Sequence, residues 1–201
     1  ISKIDIYKGK IYILDREREA LFILNKNGKH LRTVGLPGDG PGDLMSPNDF
    51  FIAQDEKIYI LNPLSKRIEV YNKEGVPIKR IPLKYPSIVS KPSAILVKDS
   101  KIYAGEGLNL FLSVFNNKGK YEKTLLKRNV PIEQPGEYII FEPELRFFSG
   151  DNSILLFDSF RGIFGKITEN GAVEVTFSIN SRHQNERVSQ IQNRVKEGKN
   201  K

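Results

Sequence analysis

Histidine occurs at only two positions in the 201 residues, His30 and His183, and cysteine is absent. Without thiols there is no disulfide framework, thiolate metal site or cysteine nucleophile, and two distant imidazoles cannot supply a histidine-rich metal cluster or a paired acid-base system. Oxygen ligands alone can hold calcium, and the nearest candidates are Asp39 and Asp43, but their spacing matches no recognised calcium loop. Glu142 and Glu144 flank Pro143 and could in principle act as paired carboxylates for acid-base chemistry; solvated loop side chains are the plainer reading. No Gly-x-Ser-x-Gly elbow is present, and the glycine-rich stretch leads into no helix, which excludes a phosphate-cradling loop. No catalytic, cofactor or metal residue is therefore assigned.

The elements that must carry whatever sites exist come from a repeat. β-rich runs begin at Lys10, Lys57, Lys101 and Ser153, and each reaches a glycine 18 positions later, at Gly28, Gly75, Gly119 and Gly171. The starts are 47, 44 and 52 residues apart, so the spacing within each copy is constant and only the connections vary. Units that pack on their neighbours show this pattern, because length changes are tolerated only in loops.

Each copy holds two short runs of β-formers, such as Ile11–Leu14 and Leu21–Leu24, or Ile58–Leu61 and Ile68–Tyr71. A turn follows (Asn25 to Gly28, Asn72 to Gly75, Asn116 to Gly119, Thr168 to Gly171), in which asparagine side chains accept turn geometry and glycine accepts positive φ. A strand after the glycine and another apolar run before the copy make four strands per repeat. Four-stranded antiparallel units of this length predict an all-β fold, a β-propeller with four blades visible. The blades are placed at about 1–35, 36–83, 84–127 and 128–180, followed by a basic tail over 181–201. In the tail, Val188, Ile191 and Val195 share one side of a helical projection; a helix and a frayed end are both open.

Residues 36–48 hold three glycines and three prolines, which predicts a shaped connection between blades rather than helix or strand interior. This Gly-x-Gly-Pro-Gly-acidic stretch precedes Pro-x-Asp and an apolar strand, then Lys-Ile-Tyr-Ile-Leu-Asn and Arg-Ile-x-Val-Tyr-Asn-x-x-Gly. The pattern resembles the NHL-type repeat, and more closely the six-bladed β-propellers often found in the envelopes of Gram-negative bacteria. The resemblance covers residues 1 to about 180 and is best in the first two blades. The third blade departs at Gly105-Glu106-Gly107, and the fourth has a longer lead-in over 127–143. It implies a six-bladed ring whose other blades lie outside these residues, with a closed four-bladed ring as the alternative. It also implies a periplasmic or envelope location, any export signal having preceded Ile1. Some propellers of this type are zinc-dependent lyases, and the scarcity of histidine argues against that chemistry here.

By the inferred strand order, one face gathers the connections between blades and the links between second and third strands. That face is expected to carry Arg16, Arg18, Asn48, Asp49, Lys66, Arg67, Asp158 and Arg161, a mixed set suited to a polar or peptide-like ligand. Set against this is a structural role in which Asp15, Asn62 and Asp158 cap turns. Three functions follow in order of preference: a non-catalytic module binding a protein, peptide or glycan; sequence-tolerant RNA binding; and a lyase or glycan-processing enzyme using carboxylates at the channel mouth. The net charge of +8 bears weakly on the choice, because residues 182–201 contribute +4 of it. No apolar run approaches the roughly 20 residues that span a bilayer.

Overall fold

Strands account for all the regular structure among the described residues of the computed structural model, which are 1–85, 92–106, 111–126, 145–149, 154–158, 163–167 and 173–178. The chain forms two compact units, Ile1–Pro131 and Ile132–Lys201. In the first unit lie three antiparallel sheets, each running in chain order. The first comprises β1 (Lys3–Tyr7), β2 (Lys10–Asp15), β3 (Ala20–Asn25) and β4 (His30–Val34). After β5 (Leu36–Pro37) and β6 (Asp43–Leu44) comes the second, of β7 (Asp49–Ile52), β8 (Ile58–Asn62), β9 (Arg67–Tyr71) and β10 (Pro77–Pro82). The third is β11 (Ala94–Lys98), β12 (Lys101–Glu106), β13 (Phe111–Asn116) and β14 (Tyr121–Leu126). The second unit holds β15 (Leu145–Ser149), β16 (Ile154–Asp158), β17 (Ile163–Ile167) and β18 (Val173–Ser178), again in chain order. The four-strand blade expected from the repeat is present in each.

The hairpin between third and fourth strands shows how local sequence builds the blade. Asn25 Oδ1 accepts the N–H groups of Asn27 and Lys29, both at 3.0 Å. Asn72 does the same for Glu74 and Val76 at 3.1 and 2.8 Å, and Asn116 for Lys118 and Lys120 at 2.9 and 3.0 Å. Each asparagine thereby satisfies two turn donors that the strand ladder cannot reach.

The first three sheets turn apolar side chains toward one another, and stacking is what buries them. One core joins the first and second blades, with Leu14, Leu21 and Ile23 meeting Phe50, Ile58 and Tyr71. A second joins the second and third, with Leu61, Ile68 and Val70 meeting Ile95, Ile102 and Phe115. The first strands β1, β7 and β11 lie side by side.

The connection at 36–48 differs from the expectation in one respect. Leu36 and Pro37 pair in parallel with Asp43 and Leu44, forming a two-residue ladder within the shaped connection. Proline at the end of so short a strand loses no ladder donor that matters. The tail over 181–201, with His183 and the helical projection, lies outside the described residues, as do Glu142, Glu144 and Arg161.

Candidate binding face

Alternating strand direction brings the 16–19 and 63–66 turns, the 35–48 connection and the starts of β1, β7 and β11 to one face. A recurring bond marks it. The residue at or just before each first strand donates to a carbonyl near the end of the second: Ser2 to Leu14 at 2.8 Å, Asn48 to Leu61 at 3.1 Å, and Ser93 to Gly105 at 2.7 Å. Asn48 Nδ2 also donates to the Ser93 carbonyl at 2.9 Å, linking the second blade to the third.

Beneath these loops Asp49 forms a junction. Its Oδ2 accepts the Ile95 N–H at 2.7 Å, and its Oδ1 lies 2.8 Å from Lys3 Nζ. Lys3 in turn donates to the Phe50 carbonyl at 2.7 Å and sits 5.0 Å from the centre of the Phe50 ring. A buried carboxylate is tolerable only when paired and hydrogen-bonded, and Asp49 meets both conditions.

A second polar cluster lies under the glycine-rich connection. Arg67, Glu69 and Tyr71 alternate along β9 and so share one face of the sheet. Glu69, 1% exposed, accepts from Arg80 Nε at 2.5 Å and from the Gly42 N–H at 3.1 Å, and its Oε1 lies 2.9 Å from Arg67 Nε. Tyr71 donates its hydroxyl proton to the Gly42 carbonyl at 2.7 Å. Burial, aided by the Glu69 charge, pushes the Tyr71 phenol far above its ordinary value. Arg67 Nη1 bonds the carboxylate of Asp39, whose pKa is held below the usual range first by that bond and then by the guanidinium charge. Arg80 Nη2 caps the carbonyls of Asp39 and Gly40. Gly42 is at φ +81°, and a Cβ there would meet the Pro77 ring at 2.6 Å, so the chain can turn over Glu69 only with glycine.

The sequence-predicted residues divide sharply in placement. Arg16 and Arg18 are exposed on the first blade's turn, where Arg18 lies 6.0 Å from the Phe22 ring centre. Lys66 is partly buried, 5.8 Å from the Tyr85 ring, and Asn48 is partly buried in the bonds above. Asp49 and Arg67 are buried at the base of the face rather than displayed on it. Asp158 ends β16, in the other unit. Asp15 caps its own turn through the N–H groups of Glu17 and Arg18 at 3.0 and 3.1 Å, the role weighed for it. Asn62 acts further away, accepting from Met45 N–H at 3.2 Å and donating to the Asp43 carbonyl at 3.3 Å, so it anchors the connection and not its own turn. Of the two calcium candidates, Asp43 accepts the Gly40 N–H at 2.8 Å through Oδ2 within the connection, and Asp39 pairs with Arg67 of β9. Lys3, Glu69, Tyr71 and Arg80 were not singled out from sequence. A usable signal for Glu69 was its place between two β-branched residues, at the repeat position that holds Phe22 in the first blade.

A family model described as 6-bladed beta-propeller matches residues 1–86. Among solved structures, the chain is similar to a streptogramin B lyase at 19% identity and a TM-score of 0.59, over 89% of this chain and 54% of that one. The chain is a β-propeller. This propeller is also similar to virginiamycin B lyase from Staphylococcus aureus, at 20% identity and a TM-score of 0.57, covering 89% and 55% of the two chains. A Bacteroides fragilis protein gives 13% identity and a TM-score of 0.61, covering 87% and 49%. At such identities the likeness establishes the fold alone, and the propeller spans about half the length of these structures. No curated protein matches it in sequence.

Proposed function

We propose that this propeller is a non-catalytic binding module that presents its loop face to a protein, peptide or glycan partner. The observation that carries this reading is the division of labour at that face. The carboxylates at its base, Asp49 and Glu69, are committed to bonds that tie strands and loops together, while Arg16, Arg18, Asp39, Leu36 and Leu64 stand exposed on the loops above. A rigid base under a chemically mixed rim suits recognition without reaction. The NHL-like pattern and a bacterial envelope location belong to this reading, supported by the resemblance of residues 1 to about 180.

The native ring is proposed to have six blades. Ile4 and Ile6 of β1 pair with Ile13 and Ile11, as Phe50 and Ile52 of β7 pair with Ile60 and Ile58, so the two sets occupy equivalent positions. Phe50 and Ile52 are 0% and 7% exposed against the first blade, whereas Ile4 and Ile6 are 57% and 70% exposed. The first blade thus carries a face built to receive another blade, in keeping with the six-bladed family description.

Peptide and glycan arrays probed with the chain and with two double variants test the function. Arg16→Glu with Arg18→Glu should abolish array binding, and Lys26→Glu with Lys73→Glu, on the opposite turns, should leave it intact. Equal binding by both variants, or capture of RNA alone with a steep loss as salt rises, would replace the proposal.

A further inference from the structure

We propose that the Arg67 guanidinium is a carboxylate-receiving subsite of the loop face, filled by Asp39 in the free chain and taken over by an acidic residue of a bound peptide. This inference rests on the reading of that face as a binding surface, and it names the chemistry of one contact.

The guanidinium is incompletely used. The Arg67 side chain is 8% exposed, yet its Nη2 has no hydrogen-bond partner among the described residues, and its Nε makes an ion-pair contact with Glu69 without hydrogen-bond geometry. Ser65 Oγ, two residues earlier in the same turn, is likewise buried without a partner. A buried donor left unmade is costly, so this end of β9 is incomplete as it stands. Arginine favours two parallel bonds to one carboxylate, and Asp39 is bonded to Nη1 alone.

The two anions around Arg67 differ in how firmly they are held. Glu69 is 1% exposed and receives Arg80 and the Gly42 N–H, so its removal would break the sheet's link to the connection. Asp39 is 68% exposed, and it stands between Gly38 and Gly40. It is therefore the exchangeable partner. Exchange also preserves charge, since Arg67 and Arg80 oppose Glu69 and one further carboxylate in either state. A peptide is favoured over an acidic sugar because the two segments that meet at Arg67 each expose a leucine, Leu36 on the connection and Leu64 on the turn, offering contact to apolar side chains beside the acid.

The test follows the Arg67 Nε–H signal by NMR in the 201-residue chain. The probes are acetyl-Leu-Glu-amide, its glutamine counterpart and glucuronate. The glutamate peptide should shift the signal, the glutamine peptide should not, and glucuronate should act more weakly. Asp39→Asn, on the surface and safe for folding, removes the internal competitor and should tighten the glutamate peptide about fivefold, the scale of a part-exposed ion pair. Arg67→Lys should weaken it at least as much, with the remaining amide spectrum confirming the fold. An Arg67 signal unmoved by the glutamate peptide in both the parent chain and Asp39→Asn, unchanged affinity in Asp39→Asn, or stronger binding of glucuronate would each overturn the proposal. If array binding still depends on Arg16 and Arg18 after such a result, the binding face stands and only this subsite falls.

Discussion

Asp49 on β7 accepts the backbone N–H of Ile95 on β11 at 2.7 Å, across 46 residues of sequence, and so fastens the second blade to the third. Its other oxygen faces Lys3 of the first blade, which makes one carboxylate the meeting point of three sheets.

Removing that carboxylate should cost more than any single exposed ion pair. Asp49→Ala leaves a buried N–H and a largely enclosed ammonium without their acceptor, and the expected loss is about 2 to 3 kcal/mol. Asp49→Asn keeps one acceptor oxygen and should lose less. Urea unfolding of both variants checks the order, and an unchanged midpoint for Asp49→Ala would refute the junction.

The hairpin glycines separate backbone strain from crowding. Gly28 and Gly119 have φ of +79° and +77°, but a Cβ at Gly28 meets nothing within 4 Å, while one at Gly119 would run into the Pro82 carbonyl of the neighbouring blade. Gly28→Ala should therefore cost about 1 kcal/mol for the left-handed conformation alone. Gly119→Ala should cost clearly more, because the Lys84 N–H bond to the Gly119 carbonyl at 3.0 Å holds the two blades together at that point. Thermal unfolding of the pair measures the difference.

Strong acid should undo the bond that ties the glycine-rich connection to β9 through Asp39. The Asp39 carboxyl lies below its ordinary value because Arg67 bonds the charged form. Its contribution to stability is then complete above the unfolded value of about 3.9 and disappears as pH falls through the lower folded value. Carboxyl NMR should show Asp39 titrating below the unfolded-chain value, and Arg67→Gln should return it toward that value.

Tyr71 offers the alkaline counterpart. Its phenol is buried, faces Glu69 and spends its proton on the Gly42 carbonyl, so it should stay neutral where exposed tyrosines, near 10, ionise. Tyr71→Phe should remove the phenol that ionises only at higher pH from the ultraviolet titration and cost about 1 kcal/mol.

The exposed face of the first blade yields a paired comparison. Ile52→Lys would bury an ammonium against the first blade and should unfold the chain or nearly so, whereas Ile6→Lys should change its stability by about 0.5 kcal/mol or less. Light scattering should also show less self-association for Ile6→Lys, which hides an apolar patch from a second copy.

Strand positions, hairpin turns and the asparagine-to-glycine signature were legible because each depends on residues within a few positions of one another. Asn72 needs only Glu74 and Val76 to cap its turn, and Ile58 to Leu61 announce a strand by composition alone. The polar base of the loop face was not legible in this way. Glu69 reads as a surface residue until Gly42, 27 positions earlier, is folded over it. Arg67 reads as an exposed cation until the same connection brings Asp39 to it. Asn62 looks like the cap of its own turn, and only the path of residues 43–45 gives it other work.

By itself, then, the order of residues determined the blade: alternation and turn chemistry act over short stretches, and they repeat with a constant interval. The tertiary structure decided which charges face solvent and which are enclosed. That choice is made where connections cross neighbouring sheets, since a charge may be buried only once chain remote in sequence arrives with a partner for it.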